Sequence, residues 1–306
     1  MKKILVVGSI NMDLVVNTDE IPKVGETVLG KSLSQIPGGK GANQAVAIAK
    51  VGGDVTLLGK VGSDHYGKSA LKSMRESGVN IEHIEKTDKS TGIAIINVDK
   101  VGNNNIVVVP GANFSVDKDY LNKNKEAFIE ADIVLFQLEI PLASVKEGLK
   151  ISKNLNKITI LNPAPAFDLD DETISYIDIL IPNEHELARM AKMEVVDKES
   201  MLKAAKVLID KGVKRIIVTL GSQGVFYIDK DNQKQYPAFK VEVVDTTAAG
   251  DSFIGGFSKS YVKNKDISKA IEMGQITAAL SIQKFGAQSS IPNQKEVEAF
   301  KKSLIM

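Results

Sequence analysis

The sequence contains no cysteine, which excludes disulfides, thiolate metal sites and a cysteine nucleophile together. It holds only three histidines, His65, His83 and His185, which argues against a multi-histidine metal cage. An excess of one charge is missing as well. The 39 Lys and Arg stand against 38 Asp and Glu, for a formal net charge of +1 and no long run of either sign. Neither nucleic acid nor a membrane surface is therefore expected as a partner, while a local basic pocket stays open. No apolar stretch approaches the length of a membrane span. The opening Ile4-Leu5-Val6-Val7 is too short for a signal peptide and is soon broken by Ser9, Asn11 and Asp13. It reads as a buried first strand, and a cytoplasmic location is expected. Two nucleotide signatures are absent too. Without G-x-x-x-x-G-K-S/T a Walker-type nucleoside triphosphatase is disfavoured; without G-x-G-x-x-G after residues 4–7 a nicotinamide or flavin enzyme of standard design is unsupported.

What is present is the composition of a soluble globular chain, 43% apolar and 25% charged over 306 residues, long enough for a large core. Short Val/Ile/Leu runs at 4–7, 55–58, 133–138, 158–161, 177–181 and 216–220 read as strands buried on both faces, because neither face shows polar alternation. Helical periodicity fills the gaps at 42–50, 69–77, 142–153, 201–210 and 251–262. This alternation predicts an α/β fold, a doubly wound and mostly parallel central sheet flanked by helices, with ligands at the carboxyl ends of the strands. Two stretches break the rhythm. Residues 14–37 hold extended pieces punctuated by Pro22, Gly25, Gly30 and Pro37, and residues 92–109 read as a hairpin with a turn-rich centre. Both are predicted to form a small β-sheet lid, leaving 1–13, 38–91 and 110–306 as the core.

The strongest chemical signal is Val244-Asp245-Thr246-Thr247-Ala248-Ala249-Gly250-Asp251 ahead of a long helix. Small residues there let backbone N–H groups converge on an anion, and the helix N-terminus adds a favourable dipole. Asp251 in the first turn also suits a simple helix cap, but a cap does not require Ala-Ala-Gly before it. An anion hole beside a carboxylate is what phosphoryl transfer needs. A second glycine-rich helix start, Gly38-Gly39-Lys40-Gly41-Ala42-Asn43, permits close backbone approach and presents the Asn43 amide, suited to sugar hydroxyls. A third group, Asn11 and Asp13, follows the first strand and alternates onto one side of an extended chain, able to bracket a diol.

Taken together, the Gly-Gly-Lys-Gly-x-Asn and Asp-Thr-x-Ala-Gly-Asp segments resemble the two signatures of the ribokinase family of carbohydrate kinases, and the likeness runs from end to end. The resemblance implies a kinase that uses ATP and Mg²⁺ to phosphorylate the 5-hydroxyl of D-ribose. Asp251 matches the catalytic base, with Ala248, Ala249 and Gly250 as the anion hole. Asn11, Asp13, Gly39, Lys40, Asn43 and Glu139 match sugar contacts. Asn183 and Glu186, three apart and expected on one helix face, match the pair near Mg²⁺ and the phosphates, with His185 a bystander. Thr219, Gly221, Ser222 and Gly224 match the nucleotide loop, where Gln275 stands at a position more usually Asn. Asp245, Thr247, Ser281, Lys284, Gly286 and Ser290 match a monovalent-cation site, K⁺ by preference and largely of backbone carbonyls. The resemblance also implies a homodimer formed through the lids. Alternatives are a kinase for 2-deoxyribose, fructose or a phosphorylated hexose, or a non-catalytic sugar-binding protein of the same fold. Retention of Asp251 with its Ala-Ala-Gly argues against the last.

Overall fold

In the computed structural model, which describes residues 2–304, the first strand β1 (Lys3–Val7) shows why an unbroken apolar run forms a central strand. Leu5 and Val7 enter one core cluster while Ile4 and Val6 enter another. The period of two sends successive side chains to opposite faces, so both faces must be apolar. Each such side chain fully buried contributes roughly 1.5–3 kcal/mol.

Among the described residues there are fourteen strands in chain order: after β1 come β2 (Asn11–Asn17), β3 (Ser32–Gly38), β4 (Asp54–Leu58), β5 (Lys60–Gly62), β6 (Glu85–Thr87), β7 (Gly92–Val98) and β8 (Asn104–Val109). Then come β9 (Ile133–Phe136), β10 (Ile158–Leu161), β11 (Ile179–Leu180), β12 (Arg215–Thr219), β13 (Val225–Asp229) and β14 (Gln233–Tyr236). Eight of them make one sheet in the order β14-β13-β12-β11-β10-β9-β1-β4. Pairing is parallel from β4 to β12 and antiparallel only at the β12-β13-β14 edge. From β1 the chain goes out to β4 on one side and returns to β9 on the other. That reversal is the switch point at which a crevice opens beyond the strand ends.

A separate four-stranded sheet has the order β3-β2-β7-β8, with β2 and β7 parallel and the outer pairs antiparallel. The expected hairpin at 92–109 is present. Asn11 and Asp13 differ from expectation: they do not prolong β1, which stops at Val7, but open β2, the first strand of this smaller sheet. The chain turns at Gly8 and Ser9, and Asn11 pairs with Gly38 and Gly92. The short parallel pair β5–β6 carries no apolar run and was not legible in the sequence.

The helix Lys40–Lys50 is buried almost all round and starts against the β1 turn. A Cβ on Gly41 would stand 2.6 Å from the carbonyl carbon of Gly8 and from the nitrogen of Ser9. Backbone cannot yield as a side chain can, so Gly41→Ala is expected to destabilise the fold by about 1–3 kcal/mol, read as a lowered midpoint in urea or thermal unfolding.

Candidate active site

Asp251 lies in the first turn of the helix Ala249–Asn264, whose preceding residue Ala248 adopts a left-handed conformation, φ 58°. Its side chain does not cap the helix. One carboxylate oxygen accepts from the Asn43 amide at 3.1 Å and the other from the Gln44 amide at 2.9 Å. Of the expected anion-hole residues, Ala249 donates its N–H to Thr246 at 3.1 Å. The N–H groups of Gly250 and Asp251 have no acceptor among the described residues, so the first helical turn presents two free donors beside the carboxylate.

Asp251 is 8% exposed. Burial raises its pKa from the ordinary carboxylate value; the Lys40 ammonium and the Gln44 and Asn43 amides oppose the rise, and Glu139 adds to it. Lys40 shows the converse balance. Burial alone would lower it, but Asp251, Glu139, Glu186 and Asp13 together hold it above its usual value. One ammonium is thus shared among four carboxylates, and this is the electrostatic centre of the site.

Around it stand the expected sugar contacts. Asp13 is pushed up to about 7, first by burial, then by Glu139 and Asp251, with Lys40 opposing. No donor among the described residues reaches its oxygens. Asn11 is oriented by Asn113, whose amide donates to the Asn11 side-chain oxygen at 2.7 Å. Glu139, just beyond β9, accepts from the Ser9 hydroxyl at 2.5 Å and the Lys40 backbone N–H at 3.1 Å. It joins the end of β1 to the start of the helix Lys40–Lys50. Gly39 precedes that helix at φ 89°, and a Cβ there would approach the Asn11 nitrogen to 2.7 Å. The Asn43 amide is already engaged at both ends, donating to Asp251 and accepting from Gln288 at 3.2 Å. Its geometry therefore orients the Asp251 carboxylate.

Asn183 is not inside a helix, as its spacing from Glu186 suggested, but caps one. Its side chain accepts from the Glu186 N–H at 2.8 Å, and Glu186 accepts from the Asn183 N–H at 2.9 Å, a reciprocal capping box. Burial raises the Glu186 pKa, against the pull of the Asn183 N–H and Lys40. His185 is exposed. Thr219 ends β12 and bonds Pro182 through its N–H at 2.9 Å, which brings the two strand ends side by side.

A cleft of about 200 Å³ gathers Lys40, Asn183, Glu186, Thr219, Ala248, Ala249, Gly250 and Asp251. Gly221, Ser222 and Gly224 form the tight turn after β12, with φ 54° at Gly221 and 90° at Gly224, and lie outside it. Gln275 also lies outside, its amide donating to the carbonyls of Tyr236 and Pro237 at 3.1 and 2.9 Å.

The cation-site residues come together from two segments. Asp245 accepts from the Thr247 N–H (2.9 Å) and hydroxyl (2.6 Å) with one oxygen, and from the Gly286 N–H (2.9 Å) with the other. The 281–290 segment is drawn in by the Val244 and Asp245 N–H groups, which both donate to Ile282. The Lys284 ammonium pairs with Glu296, leaving its carbonyl as the group available on this side. The hydroxyls of Ser281 and Ser290 bond back to Ala278 and Ala287.

Sequence reasoning missed Gln44 and its partners. Gln137 donates to the Gln44 oxygen at 2.6 Å, and the Gln44 amide bridges Asp251 and Asn162. A signal was there: Asn43 and Gln44 are the polar pair at the start of a helix otherwise apolar on all sides, so both had to be buried and bonded.

The profile of the pfkB family carbohydrate kinases matches residues 1–294. The chain belongs to that family. It is 41% identical over 300 residues to a ribokinase of Haemophilus influenzae, covering 98% of each chain. It is 43% identical over 300 residues to a bifunctional ribokinase/ribose-5-phosphate isomerase A of Fructilactobacillus sanfranciscensis. That match covers 97% of this chain but only 56% of the relative, so the chain spans just over half of that bifunctional protein. The structure of an Arabidopsis thaliana ribokinase complexed with ribose and ATP superposes with a TM-score of 0.92 at 32% identity, over 99% of both chains. The mostly parallel sheet with its smaller companion sheet is thus a family property.

Proposed function

We propose that this carbohydrate kinase transfers the γ-phosphoryl group of ATP to the 5-hydroxyl of D-ribose, giving ribose 5-phosphate and ADP. The observation that carries the reading is the buried Asp251 carboxylate set beside two unpaired N–H groups at a helix start. A ribose hydroxyl placed against Asp251 gives up its proton to that carboxylate as its oxygen bonds to phosphorus and the bond to the ADP oxygen breaks. The transition state is largely dissociative, so positioning and charge stabilisation dominate. The Gly250 and Asp251 N–H groups hold the moving phosphoryl, and Asn43 with Gln44 aims the base. Asp13, with open acceptors, and Asn11 bracket sugar hydroxyls; Glu139 and Gly39 shape the pocket, and Lys40 balances its carboxylates.

Mg²⁺ fits as part of the ATP chelate. Among the described residues there is no group of three or more His, Asp or Glu able to hold a metal, and Glu186 contributes one carboxylate oxygen beyond its capping bond. Glu186 would hold the ion as one protein ligand, and the bound ion would supply neutralisation of phosphate charge. Asn183 fixes Glu186, and Thr219, Gly221, Ser222 and Gly224 line the approach of the nucleotide, with Gln275 bracing the segment after β14. Asp245, Thr247, Ser281, Lys284, Gly286 and Ser290 supply one carboxylate and several carbonyls, a hard oxygen set suited to K⁺. Asp245→Ala is expected to abolish activation by K⁺, measured as the ratio of rates in K⁺ and tetramethylammonium; an unchanged ratio refutes the assignment.

The smaller sheet, which takes in the expected lid segments 14–37 and 92–109 and also Asn11–Asp13 and Gly38, acts in this reading as a lid over the rest of the chain. Closure excludes water, which otherwise competes for the phosphoryl group. The lid leaves Leu33, Ile95, Ile106, Val107, Val108 and Val109 exposed, an apolar surface that a second copy covers in a homodimer. Light scattering is expected to give a dimer and Val107→Asp a monomer; a monomeric parent removes this part of the proposal.

The first test is ATP consumption with Mg²⁺ and K⁺ across ribose, 2-deoxyribose, fructose, fructose 6-phosphate and adenosine. Ribose is expected to dominate kcat/KM. Preference for another sugar overturns the substrate, and no turnover with any, in folded ATP-binding protein, overturns the kinase.

A further inference from the structure

A second cavity lies at the opposite ends of the central strands, where β10 and β12 begin. It measures about 490 Å³ and is lined by Lys153, Lys157, Arg215 and Lys265, with Asp178 at its base. Asp178 is the one carboxylate among the lining residues and already accepts from Lys153 at 2.9 Å and Lys214 at 2.8 Å. Asp229, opposite Arg215 across the β12–β13 pair, accepts from the Tyr227 hydroxyl and the Asp231 and Asn232 N–H groups. Two helices, Leu142–Asn154 and Ala249–Asn264, end here. Their C-termini amount to about half a negative charge each, which does not cancel the cationic excess. Satisfying helix ends therefore accounts for some of these lysines and not for the cluster.

Tyr261 supplies an independent observation. It is 2% exposed, yet lines this cavity, and its hydroxyl has no hydrogen-bond partner among the described residues. Its ring is the end of a stack, 5.4 Å from Phe257, which is 6.2 Å from Phe253, so the hydroxyl cannot swing elsewhere. The hydroxyl tip opens onto the cavity rather than onto a protein acceptor, and there it faces the field of Arg215.

We propose that this cavity is a second ligand site, for a small organic phosphate monoester. Arg215 and Lys157 take the phosphate oxygens, as planar and point-charge donors do, and the Tyr261 hydroxyl donates a further bond. The volume exceeds what inorganic phosphate fills, and the Tyr261 ring with Ile158 gives an apolar wall for the organic part. The site is distinct from the catalytic cleft: Tyr261 stands ten residues beyond Asp251, about 15 Å along the helix Ala249–Asn264.

The test keeps the full chain and fills the catalytic cleft with saturating ribose and a non-hydrolysable ATP analogue. Ribose 5-phosphate, AMP and inorganic phosphate are then titrated separately by calorimetry. One equivalent of ribose 5-phosphate or AMP is expected to bind, with inorganic phosphate at least tenfold weaker, and the tighter organic ligand names the source. Arg215→Gln, and separately Lys157→Gln, should weaken that binding at least tenfold with kcat unchanged. Failure of both organic probes to bind, binding untouched by both substitutions, or inorganic phosphate binding as tightly overturns the proposal.

Discussion

Replacing Asp251 by asparagine is expected to lower kcat by about 10²–10⁴-fold, the usual contribution of a positioned general base, while the protein remains folded and binds ATP. The substitution keeps the shape and one acceptor. One of the two amides now aimed at Asp251, from Asn43 or Gln44, would then face another donor, a modest loss. Against this, a carboxylate whose pKa burial has raised costs the fold something when ionised, and asparagine removes that cost. The phosphate donors are backbone N–H groups and survive. Unchanged kcat would remove Asp251 from the chemistry. Asp251→Ala gives the same test should the asparagine variant prove unstable. In the parent, the base must be ionised to accept a proton, so kcat falls as pH drops through its pKa. The raised pKa places that limb above the range of an ordinary aspartate, and the pH–rate profile of the parent measures it.

Asp13→Asn is expected to move activity and stability in opposite directions. The Asp13 carboxylate titrates at about 7 in the folded chain against about 3.9 when unfolded. Between those values the folded state binds the extra proton, so this group's contribution to stability declines as pH rises from 4 to 7. The full cost, at most roughly 4 kcal/mol, is present above pH 7 and absent below pH 4. Thermal unfolding at pH 8 should therefore show a higher Tm for the variant, and the gap should close as pH is lowered through 7. Activity falls in the same variant. A charged acceptor to a sugar hydroxyl contributes about 1.5–3 kcal/mol, so kcat/KM for ribose should drop about 10- to 150-fold. A variant no more stable than the parent at pH 8 would mean the carboxylate is solvated well enough to carry its charge. Unchanged kcat/KM would remove Asp13 from the sugar site. A pocket built to leave a carboxylate without a protein partner is the form expected of a site that trades stability for binding.

The strand runs at 4–7, 55–58, 158–161 and 216–220 were legible because a strand buried on both faces shows no polar alternation, and at most a single threonine interrupts each of these runs. The run at 177–181 was legible too, although only Ile179–Leu180 pairs in the sheet. Asp251 was legible for a different reason. Small residues ahead of it and helical periodicity behind it place it at a helix start within one local segment. The capping box of Asn183 and Glu186 was half legible: the spacing was seen, but a helix face and a helix cap share the same interval of three.

Composition and local pattern alone determined the parallel α/β core, the absence of disulfides and thiolate sites, and the placing of Asp251 at a helix start behind a run of small residues. These follow from the period of apolar residues and from neighbours along the chain. Tertiary structure alone decided what those groups feel. Gln44 meets Asp251, and Gln137 meets Gln44, only because helix Lys40–Lys50, the end of β9 and helix Ala249–Asn264 converge at one switch point. The shared Lys40 ammonium, the raised Asp13 and the basic cavity around Tyr261 arise from residues dozens to hundreds of positions apart. Burial and Coulomb interaction depend on distance in space, which one-dimensional spacing does not record.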